Sequence, residues 1–131
     1  MASNQVARQK IFRGFTQILA GITLTIGMLW LSGCSTPANI EVAGATIIDV
    51  RTSAEYAAGH IQGAVNIDVQ AADFATKIDA LPKDGYYIVY CRSGGRSAAA
   101  ARTMNSASFT NVKDAGGMEN AAKALNLPIV T

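Results

Sequence analysis

The stretch from Tyr86 to Met104 constrains the fold more than any other part of this chain. Tyr86-Tyr87-Ile88-Val89-Tyr90 is an unbroken run of β-formers and reads as a buried strand. Cys91-Arg92-Ser93-Gly94-Gly95-Arg96 follows at once, and its adjacent glycines cannot continue a strand. From Ser97 the chain passes into Ala98-Ala99-Ala100-Ala101-Arg102-Thr103-Met104, a strong helix former. Strand, tight loop and helix in that order predict one step of an alternating α/β fold.

The flanking sequence continues the alternation. Ala45–Val50 reads as a strand, and Ser53 as the N-cap of a short helix through Ala58, with Glu55 in its first turn and Gly59 ending it. A turn and brief strand span Gly63–Ile67. Ala72–Leu81 has helical composition and stops before Pro82. Lys83-Asp84-Gly85 is a turn, Thr110–Lys113 a short strand, Gly116-Gly117 a turn and Met118–Leu125 a last helix. The order predicts an α/β domain with a small, mostly parallel sheet flanked by helices.

The first third of the chain is built differently. Residues 1–14 hold Arg8, Lys10 and Arg13 and no acid, and a 17-residue apolar run extends from Phe15 to Leu31. A basic start, an apolar run and small residues after it read as a secretory signal. Leu31-Ser32-Gly33-Cys34 resembles the lipobox of bacterial lipoprotein signal peptides, and that resemblance implies cleavage before Cys34 and lipidation of its sulfur. The alternative is an uncleaved transmembrane anchor, since 17 residues lie at the lower limit for spanning a bilayer. The expected organisation is a signal peptide at 1–33, a tether at 34–44 and one domain at 45–131. Either reading places the domain outside the cytoplasm on a membrane, on the periplasmic side. The resemblance implies outer-membrane sorting in a Gram-negative cell, since Ser35 rather than Asp follows Cys34.

Charge has to be read segment by segment. The whole chain carries +2, but from Cys34 onward eight basic residues face nine acidic ones. The basic balance belongs to the leader and implies no nucleic-acid partner. The remaining 98 residues are enough for a real, if small, core. There are two cysteines, Cys34 and Cys91. With Cys34 lipidated, Cys91 has no partner in the chain. A lone thiol in an oxidising compartment is either buried and inert or retained for its chemistry.

The neighbours of Cys91 favour chemistry. Ligands in open α/β sheets sit beyond the carboxyl ends of the strands. A helix N-terminus there offers free N–H groups and partial positive charge. The loop Arg92, Ser93, Gly94, Gly95, Arg96 and Ser97 is expected to turn its backbone N–H groups towards one point. Arg92 and Arg96 are expected to draw in an anion. Both features lower a cysteine pKa. Asp49, at the end of the first strand, either anchors this loop or pairs with an arginine, and a structural ion pair is the favoured reading. His60 is the only histidine, and no other His or Cys stands ready to complete a metal site.

Several segments together are similar to single-domain rhodaneses. Ile48-Asp49-Val50-Arg51-Thr52-Ser53-Ala54-Glu55-Tyr56 and Gly59-His60-Ile61-Gln62-Gly63-Ala64-Val65-Asn66-Ile67 look like the opening of that family. Tyr90-Cys91-Arg92-Ser93-Gly94-Gly95-Arg96-Ser97 looks like its active-site loop, and Gly116-Gly117-Met118-Glu119 and Leu127-Pro128-Ile129 look like its end. The resemblance runs from about Ala45 to Val130. It implies a rhodanese fold and a sulfurtransferase in which Cys91 takes sulfur from an anionic donor such as thiosulfate. The persulfide then passes its sulfur to a thiol or protein acceptor, with no cofactor. It places Asp49 and Arg51 in a supporting role and His60 in a structural turn. A non-catalytic binding module or persulfide carrier is the alternative. Phosphatases with a related loop use Cys-x5-Arg, whereas here the spacing is Cys-x4-Arg and Ser97 occupies the phosphatase arginine position. Family members often carry a Trp after the double glycine, where this chain has Asn120-Ala121-Ala122.

Overall fold

The computed structural model describes residues 39–131, so the signal-peptide reading and Cys34 lie outside the described residues. The elements run β1 (Ala45–Asp49), α1 (Ser53–Ala58), β2 (His60–Ile61), β3 (Val65–Asn66), α2 (Phe74–Asp79), β4 (Tyr86–Cys91), α3 (Gly95–Ser106), β5 (Asn111–Gly117), α4 (Met118–Leu125) and β6 (Ile129–Val130). β3, β1, β4 and β5 lie side by side in that order, every pairing parallel. β2 and β6 form a separate antiparallel pair. Among the described residues no helix is long and apolar enough to cross a membrane.

Successive side chains of a strand point to opposite faces of its sheet. Along β4 that rule divides the core. Tyr87, Val89 and Cys91 pack with Phe74 and Ile78 of α2 and Ala100, Ala101 and Met104 of α3. Ile88 and Tyr90 pack on the other face with Ile61 and with Ala121, Ala122 and Leu125 of α4. A sheet covered on both faces accounts for the continuous apolar run of β4, since neither side meets water.

Several elements differ from the sequence expectation. The N-cap of α1 is Thr52, not Ser53. Thr52 Oγ accepts from the Glu55 N–H, and the Glu55 carboxylate accepts from the Thr52 N–H, so Glu55 completes a capping box. α2 is shorter than the predicted span, covering Phe74–Asp79. α3 begins at Gly95, two residues ahead of Ser97, which puts Arg96 and Ser97 in its first turn. The Gly116-Gly117 pair is not a separate turn. Both glycines close β5, with Gly116 at φ 75° where the register with β4 shifts between Val89 and Tyr90. β2 and β6 carry no local signature and arise from pairing across the chain.

Candidate active site

Cys91 is the last residue of β4, and its ladder partner is Gly117 of β5. The side chain is fully buried. The Gly94 N–H donates to Cys91 Sγ at 3.0 Å, and Sγ lies 3.6 Å from Ser97 Oγ. With Cys91 protonated, its S–H donates to Ser97 Oγ and the Ser97 hydroxyl donates to the Gly94 carbonyl at 2.9 Å, tying the end of the loop to its middle; with Cys91 ionised, that one hydroxyl proton serves the sulfur instead. Burial pushes the Cys91 thiol up, but bonds from the Ser97 N–H and hydroxyl and from the Gly94 and Ser93 N–H groups outweigh it, leaving the pKa lowered. The sulfur therefore favours the thiolate through oriented backbone dipoles and one hydroxyl.

Two glycines make that geometry possible. Gly94 caps α3 at φ 107°, a backbone region that side chains disfavour, and this aims its N–H at the sulfur. Gly117 brings β5 against the loop. A Cβ at Gly117 would lie 2.8 Å from the Arg92 carbonyl oxygen and 3.3 Å from Ser93 Cα.

The arginines do not act together as the sequence reading expected. Arg96 is held by Glu55 in a two-point pair, Nη1 to Oε2 at 2.7 Å and Nη2 to Oε1 at 2.8 Å. Thr52 Oγ donates to the same carboxylate at 2.9 Å. The Arg96 pair, aided by Thr52 and opposed by burial, holds Glu55 down at about 2. Arg96 thus reaches the loop already paired, and its coulombic coupling with Cys91 stands behind the hydrogen bonds from Ser97, Gly94 and Ser93 in lowering the Cys91 pKa. Arg92 is exposed and makes no ion pair among the described residues. Ser93 and Gly95 are exposed on the loop surface. The site residue that sequence reasoning missed is Glu55, noted only as a helix-start acid; a partner 41 positions away leaves no local signal.

Asp49 and Arg51 form a buried unit on the opposite face of β4 from Cys91. Arg51 Nη2 meets Asp49 Oδ2 at 2.6 Å, Arg51 Nε meets Oδ1 at 2.9 Å, and Nη2 also donates to the Gly59 carbonyl. The Tyr90 hydroxyl donates to Asp49 Oδ2 at 2.7 Å and accepts from the Ile61 N–H at 3.0 Å. The hydrogen bond to Asp49 raises the Arg51 pKa, against a smaller opposing effect of burial. This network joins β1, β2 and β4 and does not touch the Cys91 sulfur, so Asp49 pairs with Arg51 and does not anchor the loop. His60 stacks on Tyr56 with ring centroids 3.8 Å apart, and its Nδ1 lies 3.0 Å from the Tyr56 carbonyl. Among the described residues no group of His, Cys, Asp and Glu is arranged to hold a metal ion.

A buried sulfur at the carboxyl end of a central parallel strand, cradled by N–H groups at the start of the next helix, is an arrangement of an α/β domain that favours negative charge. Residues 37–124 match the family described as Rhodanese-like domain, and the chain belongs to that family. It is 32% identical over 75 residues to Thiosulfate sulfurtransferase PspE of Escherichia coli, covering 57% of this chain and 72% of that protein. It is 41% identical over 75 residues to Thiosulfate sulfurtransferase GlpE of Pseudomonas fluorescens, covering 56% of this chain and 66% of that one. Among solved structures, "rhodanese with anions from E. coli" superposes with a TM-score of 0.55 at 30% identity, covering 66% of this chain and 98% of that chain. The fold is the rhodanese-like α/β arrangement, a parallel sheet flanked by helices.

Proposed function

We propose that this protein is a sulfurtransferase that moves sulfane sulfur from thiosulfate or a similar anionic donor to a thiophilic acceptor through a persulfide on Cys91. The observation that carries the reading is the cradle at Cys91 Sγ, where the Gly94 N–H at 3.0 Å and the Ser97 hydroxyl favour the thiolate. The Cys91 thiolate attacks the outer sulfur of the donor. Its lone pair forms the new S–S bond, and the donor's S–S bond breaks with its electron pair leaving on sulfite. An acceptor then attacks the outer sulfur of the persulfide, and the electron pair of that S–S bond returns to Cys91. Splitting the transfer into two displacements is covalent catalysis. The loop N–H groups hold negative sulfur through both steps, and Arg92 draws in the anionic donor. A preformed thiolate needs no general base.

The test is thiocyanate formation from thiosulfate and cyanide, with intact-mass measurement of the protein after donor treatment. Turnover abolished in Cys91→Ala is the expected result. Gain of one sulfur atom without turnover moves the function to a persulfide carrier, and no gain with any donor leaves a binding module.

The leader adds a location to this proposal. Arg8, Lys10 and Arg13, the apolar run Phe15–Leu31 and Leu31-Ser32-Gly33-Cys34 support export and a lipid anchor at Cys34, with the domain held at the periplasmic face of a membrane. Cys34→Ala should block processing or release the protein from membranes, as fractionation reads directly. Unchanged attachment would favour a transmembrane anchor.

A further inference from the structure

Beside the Cys91 loop lies a cleft of about 320 Å³, lined by Arg51, Glu55, Ala58, Arg92, Met118 and Glu119. It borders the Cys91 loop along the chain. Arg92 follows Cys91, and Met118 follows Gly117, the ladder partner of Cys91. Two of its four charges are already matched. Arg51 is paired with Asp49, and Glu55 with Arg96. Arg92 and Glu119 remain, both exposed and neither in an ion pair among the described residues. The cleft thus presents one unmatched cation, one unmatched anion and the half-buried apolar side chain of Met118. Its volume falls at the small end of small-molecule sites.

We infer that Arg92 and Glu119 select the sulfur acceptor, and that it is a small zwitterionic thiol of the amino-acid type. Its carboxylate faces Arg92, its ammonium faces Glu119, and Met118 packs on its carbon chain. The inference rests on the sulfurtransferase reading above and names the acceptor for the same site. It also gives Arg92 two successive duties. Arg92 draws in the anionic donor first, and once sulfite has left, the guanidinium is free for the acceptor's carboxylate. In the transfer itself the acceptor thiolate's lone pair bonds to the outer persulfide sulfur. The Cys91 S–S bond breaks, its electron pair returns to Cys91, and the acceptor leaves as its own persulfide. A thiol lacking either charge leaves one wall of the cleft unmatched.

The test loads the full-length protein with thiosulfate, verifies the Cys91 persulfide by intact mass, and follows its discharge by four thiols. Cysteine carries both charges, cysteamine the cation alone, 3-mercaptopropionate the anion alone and 2-mercaptoethanol neither. Rates are compared per thiolate and corrected for thiol basicity, because attack on a disulfide depends on both. Exposed charge pairs change such rates by roughly two- to fivefold each, so cysteine should lead 2-mercaptoethanol by about tenfold. Glu119→Gln should reduce the lead of cysteine over 3-mercaptopropionate to about one, and Glu119→Asp should restore part of it. An order set by thiol basicity alone would overturn the inference, as would a Glu119→Gln variant slowed equally with all four thiols. A protein that takes up no sulfur at the loading step fails the sulfurtransferase reading itself, which separates the two failures.

Discussion

Arg96 and Glu55 meet through two parallel hydrogen bonds of 2.7 and 2.8 Å, joining the first turn of α3 to the first turn of α1. The pair fixes one side of the Cys91 loop to an element that packs on the other face of the sheet. It also settles which cation at the loop is available to a ligand, because Arg96 arrives matched and Arg92 does not.

The pair makes stability depend on acidity. Glu55 sits at about 2 in the folded protein against 4.5 for the ordinary carboxyl. A carboxyl depressed by folding contributes stability that is complete above its unfolded value and is lost as pH falls towards its folded value. The expected outcome is a fall in urea-unfolding free energy between about pH 4.5 and about 2, and a shallower fall in Glu55→Gln. An equal acid limb in the two proteins would assign it to other carboxylates.

The Cys91 thiolate should appear at lower pH than that of a free cysteine. Iodoacetamide alkylation should titrate with a midpoint below 9.0, the ordinary value, because the Ser97 and Gly94 bonds outweigh burial. Ser97→Ala removes the hydroxyl that lies 3.6 Å from the sulfur, so its midpoint should move upward. Arg96→Gln should move it much less, since Glu55 already matches that charge.

Asp49→Ala should be among the most damaging changes in the domain. It leaves the buried Arg51 guanidinium unpaired and removes the acceptor of the Tyr90 hydroxyl. Breaking a buried ion pair from one side costs about 3–5 kcal/mol. Thermal unfolding should show the loss. A Tm within a few degrees of the parent would mean that Arg51 finds another partner.

Gly117→Ala tests the close approach of β5 to the loop. The new Cβ would meet the Arg92 carbonyl oxygen at 2.8 Å, which is backbone and cannot swing aside. Overpacking of this kind costs about 1–3 kcal/mol, and here the loop itself must shift. The expected result is a loss of thiocyanate-forming activity larger than the loss of stability explains, measured on protein shown to be folded by circular dichroism.

The strand, loop and helix around Cys91 were legible in the sequence because each depends on neighbours in the chain. Five β-formers, two glycines and an alanine run act within a few positions of one another. The last helix, Met118–Leu125, was legible for the same reason. Features assembled across the chain were not. β2 and β6 are two-residue strands that exist only because His60 and Ile61 meet Val130 and Ile129. The Arg96–Glu55 and Tyr90–Asp49 contacts each span 41 positions. The cap of α1 was misread by one residue because Thr52 and Ser53 are both good caps, and only the Glu three positions after Thr52 decides between them. Gly116-Gly117 read as a turn because glycine interrupts strands, whereas the bulge keeps both residues in the ladder.

The complete burial of the Cys91 side chain has a consequence for how the thiol survives. A disulfide with another protein requires that protein's cysteine to come within one S–S bond length of Sγ, about 2 Å. The closed loop leaves no approach for anything so bulky. A slender donor has less to displace, and the sulfur atom it leaves behind extends outward by that same bond length. Charging Cys91 therefore requires the loop to open, for a slender donor as for a bulky thiol, because the resting sulfur presents no surface to either.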